Sequence, residues 1–174
     1  AGWGQPWGAP LYGAGLLALA AWLLRWDIAR RTVHQRGLTR FIAVCLLSGY
    51  FWLALGGAVM LAFGLTPGGP AYDAALHALM LGFVFAMVFG HAPVIFPAVL
   101  RVAVPYHPMF YAPLMLLHGS LLLRVAGDAT GQFDWTRWGG LLSALALLAF
   151  IANTALAVLR GRRAETRGAR LAPR

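Results

Sequence analysis

The sequence predicts an all-α integral membrane protein. Its fold is a bundle of about five transmembrane helices with the N-terminus outside and the C-terminus in the cytoplasm. Three observations carry this prediction. Apolar residues make up 60% of the 174 and charged residues only 11%, where an ordinary globular domain is near half apolar and about a quarter charged. Apolar stretches of roughly 20 residues, the length that crosses hydrocarbon, recur along the chain. The arginines, finally, concentrate in alternate links between those stretches.

The stretches run from Pro10 to Trp26, Phe41 to Leu65, Ala71 to Leu100, Pro108 to Ala126 and Trp138 to Leu159. The first and fourth are near the short limit for spanning, and the third is long enough to tilt or break. Pro93 and Pro97 predict a kink or an early end between Gly90 and Pro97, because proline removes a helical donor and crowds the preceding turn. Arg25, Arg30, Arg31, Arg36 and Arg40 fill the first link, and Arg101 lies in the third. Arg160, Arg162, Arg163, Arg167, Arg170 and Arg174 follow the last stretch. Positive residues stay in the cytoplasm, which sets the orientation. Trp3, Trp7, Trp22, Trp26, Trp135 and Trp138 cluster near the stretch ends as an interfacial belt.

The opening AGWGQPWGAP has too much glycine and proline for a helix, and TPGGPAYD and AVPYHP read as tight turns. Residues 1–160 are expected to form the bundle and residues 161–174 a polar basic tail, mobile beyond its first turn. The chain starts at Ala1, so either a leader has been removed or the sequence is part of something longer.

In a soluble protein a net charge of +9 would suggest nucleic acid. Here the basic residues sit between and after the apolar stretches and read as topology signals and contacts for anionic lipid. No basic stripe is interleaved with aromatics, so nucleic acid is excluded as a partner and membrane lipid takes its place. Cys45 is the single cysteine, falls inside an apolar stretch, and forms no intrachain disulfide.

Chemistry concentrates in the histidines. His34 lies in the arginine-rich link and reads as a solvated loop residue. His107 stands between Tyr106 and Pro108 and reads either as an interfacial residue or as a supporting metal ligand. His77, His91 and His118 fall at hydrocarbon depth, where ionisable groups are costly and mark functional sites. Imidazole is also the commonest protein ligand for metals and for haem iron. These three are the candidate cofactor ligands, with His107 as a fourth metal candidate; the bland alternative is a neutral histidine bonded to a neighbouring helix.

His77 and His91 are 14 residues apart, about 21 Å along a helix. Fourteen steps of 100° come within about 40° of four whole turns, so a uniform α-helix puts both on one face. The same separation resembles that of bis-histidine membrane cytochromes b. Across the inside turn, His118 lies about two residues from the level of His91. Across the outside turn, Met60 lies near the level of His77, with packing as its default role. Gly82, Gly90 and Gly119 border the histidines, either as room for a flat macrocycle or as close helix packing. Asp73, four residues before His77, is placed to accept a ring N–H from it.

The stretch HALMLGFVFAM, from His77 to Met87, resembles a segment of the NnrS family of haem- and copper-containing membrane proteins, which act in the response to nitric oxide. His77, Ala78, Leu79, Gly82 and Met87 carry the resemblance. It implies a polytopic helical protein of the bacterial inner membrane, with haem b, and copper as a further metal, at a site that includes His77. That family has about twelve helices, more than twice the number here, and the stretch from His91 to Pro108 has no counterpart in it.

The first expectation is therefore a membrane haem b or haem–copper protein in electron transfer or in nitric oxide- and oxygen-related respiration. Two axial histidines would favour electron transfer, and an open side would favour gas binding. The alternatives are a proton path or transporter using intramembrane histidines, and a non-catalytic subunit or assembly partner. No nucleophile with a paired base and no phosphate loop is present, so this chain is not read as an enzyme on its own. The expected partners are lipid, other respiratory membrane subunits, or further copies of the chain.

Overall fold

The computed structural model describes residues 7–101 and 104–171. Trp3, Ala103 and Arg174 lie outside the described residues. Every element found among them is helical. Five helices are long and apolar enough to cross a membrane: Gly8–Trp26, Gly37–Phe63, Pro70–Val99, Pro108–Thr130 and Phe133–Arg162.

Helix α1 is Gly8–Trp26. It begins two residues earlier than the apolar stretch, and the glycine- and proline-rich opening becomes helical at Gly8. Pro10 does not block this, because a residue in the first turn has no intrahelical acceptor to lose. A short helix α2, Ala29–Thr32, fills the first link; Asp27 starts it by accepting the Ala29 amide at 2.6 Å. Helix α3 is Gly37–Phe63. It is the hub of the fold, packing against α1, α2 and all parts of the third span.

The third span is irregular where the sequence did not signal it. It starts as α4, Pro70–His77, widens into a π-helical segment at Ala78–Val84, and resumes as α5, Phe85–Leu100. The prolines neither stop it nor end it early. Pro93 and Pro97 lie inside α5, which closes at Arg101 in the left-handed conformation. The π segment precedes the stretch from Gly90 to Pro97 and holds no proline. A short 3-10 turn, Pro108–Phe110, then leads into α6, Tyr111–Thr130. Gly131, at φ 69°, makes the turn to α7, Phe133–Leu171. The basic tail thus continues α7 as far as Leu171 instead of leaving the helix after one turn. Arginine, alanine and glutamate are good helix formers, and a formed helix extends cheaply.

Close backbone approach positions α3. A Cβ on Gly13 would lie 2.6 Å from the Gly57 carbonyl oxygen, so α1 and α3 cross there at a distance only small residues permit. On its other side, α3 presents Cys45 to Gly90 and Trp52 to Gly82. Gly82 lies in the π segment, and its missing side chain is the notch that receives the Trp52 ring. A larger core joins Phe41, Trp52, Phe89, Leu117, Leu121 and Phe150. The rings of Phe89 and Phe150 stack at 3.9 Å and tie α5 to α7.

Candidate functional site

His77, His91 and His118 have two kinds of surroundings. His118, on α6, turns inward against α3. The Trp52 indole N–H donates to His118 Nδ1 at 2.8 Å. A neutral imidazole that accepts at Nδ1 carries its proton on Nε2, and His118 Nε2 lies 2.9 Å from Ser48 Oγ. Ser48 in turn donates to the Cys45 carbonyl at 3.1 Å. The relay from indole to imidazole to hydroxyl to carbonyl leaves no group in it unpaired. Both ring nitrogens of His118 are therefore engaged, and both by α3.

His77 and His91 share a different arrangement. His77 Nδ1 is 2.8 Å from the Asp73 carbonyl oxygen, and His91 Nδ1 is 2.8 Å from the Met87 carbonyl oxygen. In each case the acceptor is the residue four before, in the same helix. An Nδ1–H donated to a backbone carbonyl leaves Nε2 as the lone-pair nitrogen, the tautomer that ligating histidines use. Among the described residues, neither Nε2 has a protein partner. His91 is exposed on the outside of the bundle and His77 is half-buried.

Sequence spacing put His77 and His91 on one face, and the π segment between them changes that. A π turn closes one residue later than an α turn, so fourteen steps advance the helix by about thirteen α steps, some 140° short of whole turns. The hairpin arithmetic also paired His91 with His118. The structure does not join them: α5 leans on α3 and α7, His91 faces outward, and His118 bonds to α3. Among the described residues, no group of three or more His, Cys, Asp or Glu side chains is close enough to hold a metal ion.

The remaining candidates fall outside these settings. His107 Nδ1 accepts the Met109 amide at 3.2 Å and caps the 3-10 turn, while its ring is exposed. His34 is exposed in the link after α2. Met60 is buried in a cluster with Ala20, Leu53, Ala75 and Leu79, its default packing role. Gly82 and Gly90 are filled by Trp52 and Cys45, which is close helix packing and not room for a macrocycle; a Cβ on Gly119 would meet nothing within 4 Å.

Two residues that sequence reasoning passed over shape these settings. Trp52 is the one of seven tryptophans away from a stretch end, and a buried indole N–H needs an acceptor. That was a readable signal. Arg124 is the other. It grips Asp73 with two nitrogens, Nε to Oδ2 at 2.9 Å and Nη2 to Oδ1 at 3.1 Å. Asp73 is thus occupied by arginine, with His77 Nδ1 3.4 Å from its Oδ1 and bonded instead to its carbonyl. Thr136 donates to Asp128 Oδ1 at 3.0 Å beside them. Together with Gly69 and Phe133, these groups line a cavity of about 330 Å³ at the end of the bundle where α6 turns into α7.

A family model described as a domain of unknown function (DUF8744) matches residues 2–159. The chain belongs to that family. The match takes in the four helices from α1 to α6 that are long enough to span, and most of α7. No curated protein and no solved structure matches the chain. Membership brings no chemistry with it, so the reading of function rests on the histidine settings.

Proposed function

We propose that this member of the DUF8744 family is a multi-pass protein of a bacterial inner membrane that holds haem b at His91 and His77, in electron transfer or gas-linked respiration. The arginine-rich link and tail would lie in the cytoplasm and the N-terminus outside. One observation carries the cofactor reading: both rings donate Nδ1–H to their own helix and present an unpartnered Nε2 away from it. An imidazole held in this way is fixed in tautomer and direction before a metal arrives. At membrane depth an unpaired ring nitrogen is also a cost that a ligand would remove.

His91 and His77 would each offer one Nε2 donor from this chain. His118 does not fit, since using it would break its bond to Trp52 or to Ser48. Further donors would come from another copy of the chain or from a respiratory membrane subunit, which agrees with the exposed position of His91. When bound, haem supplies a one-electron centre or a gas-binding iron. The chain's own part is to hold the imidazoles, each oriented by a carbonyl of its own helix.

Two measurements test the reading. Protein extracted in mild detergent from cells supplied with haem should show a Soret band that sharpens and shifts on reduction. A folded, colourless preparation would overturn the cofactor assignment. Cysteines placed at Gln35 and Gln132 should label from opposite sides of the membrane, and labelling of both from outside would overturn the orientation.

A further inference from the structure

At the end of α1 the chain builds a basic crevice that the histidine reading does not use. Arg25, Arg30 and Arg31 surround a volume of about 570 Å³ together with Trp26, Asp27 and Ile28. The one carboxylate there is committed elsewhere: Asp27 Oδ2 accepts from the Tyr50 hydroxyl at 2.8 Å, and its Oδ1 accepts the Ala29 amide. Asp27 thus ties α2 to the middle of α3 and is turned to that task. Among the described residues, Arg25, Arg30 and Arg31 form no ion pair with an acid. The Arg25 guanidinium lies 4.6 Å over the Trp26 ring, a stacking that holds its planar fork in place.

The walls are as informative as the charges. Trp26 and Ile28 are 66% and 69% exposed. They flank the arginines at the end of a helix long and apolar enough to cross a membrane. Three unpaired guanidinium groups recognise phosphate oxygens, often through two parallel N–H bonds. Exposed indole and aliphatic groups beside them match glycerol and the first acyl carbons. We infer that this crevice binds the phosphate of an anionic phospholipid headgroup. Free phosphate would use the same arginines but would leave the apolar wall without a partner, and basic pockets at the cytoplasmic ends of membrane helices bind such headgroups.

The test is lipid retention, read by native mass spectrometry on full-length protein extracted from vesicles of equal phosphatidylglycerol and phosphatidylcholine. The wild type should keep phosphatidylglycerol and lose phosphatidylcholine. The Arg30→Gln/Arg31→Gln variant should keep it less well, by roughly fivefold for each arginine removed. Both arginines are exposed, so the variant should elute and melt like the wild type. Arg30→Lys/Arg31→Lys, which keeps charge but loses the fork, should fall between the two. Millimolar inorganic phosphate should leave the bound lipid in place. Equal retention of the two lipids, displacement by inorganic phosphate, or full retention by the glutamine variant would each overturn the proposal. So would a loss of the same size from Arg36→Gln, because diffuse surface charge would then explain the effect.

Discussion

His118 and His91 are the same residue type within one bundle, and their surroundings are opposite. His118 faces the hub helix and has both nitrogens taken, by Trp52 and Ser48. His91 faces away, bonds only to its own helix, and keeps one nitrogen without a protein partner. The difference separates two uses of histidine inside an apolar helix bundle. A doubly bonded imidazole acts as a connector between helices, and what it holds is other protein. A singly bonded one, oriented by its own backbone, is available to something from outside the chain. His77 belongs with His91 in this respect, although its depth and its neighbours differ.

The comparison breaks most visibly at His118. His118→Ala removes two interhelical hydrogen bonds, each worth roughly 0.6 kcal/mol in membrane proteins. It also leaves the Trp52 indole N–H buried without an acceptor, at about 1–3 kcal/mol. A destabilisation of about 2–4 kcal/mol is expected, read as a lower melting midpoint in detergent. A change below about 0.5 kcal/mol would show that the relay does not hold α6 to α3. Gly82→Ala attacks the same relay from α4 and α5's side, by placing a methyl group where the Trp52 ring sits. Overpacking of this kind costs about 1–3 kcal/mol. In addition, Trp52 fluorescence, isolated in a background lacking the other tryptophans, should shift as the ring leaves its notch.

The end of the bundle where α6 turns into α7 sharpens the contrast between His77 and His91. Asp73 is gripped by Arg124, with side chains 35% and 17% exposed, so water weakens the pair and its coupling should be modest. A double-mutant cycle on Asp73→Asn and Arg124→Gln should give about 1 kcal/mol of interaction. A coupling near zero would mean that the cluster does not brace α4 against α6.

The five long apolar helices were legible in the sequence because they depend on an average, about 20 apolar residues in a row. The π segment was not legible. Nothing in ALMLGFV forbids a regular helix, and the partner it packs against, the Trp52 ring over Gly82, lies on another helix. The early end that the prolines allowed does not occur, and α5 runs through both. At the candidate site the three histidines were visible as ionisable residues inside apolar stretches. What each one bonds was set by the phase of its helix, and one extra residue in a turn changes that phase. Trp52 carried a usable signal, being the lone tryptophan away from the interfaces. The grip of Arg124 on Asp73, residues 51 apart in sequence, had no local signature.

The most direct measurement of the central claim is the absorption spectrum of the haem-supplied protein in three forms, each shown to be folded: wild type, His91→Ala, and His118→Gln, which keeps a polar group facing Trp52 and Ser48. His91 contributes no bond to another helix, so its loss should change stability by no more than about 0.5 kcal/mol. The account predicts a Soret band in the wild type, its loss or clear reduction in His91→Ala, and its survival in His118→Gln. A band that survives His91→Ala and disappears with His118→Gln would contradict it.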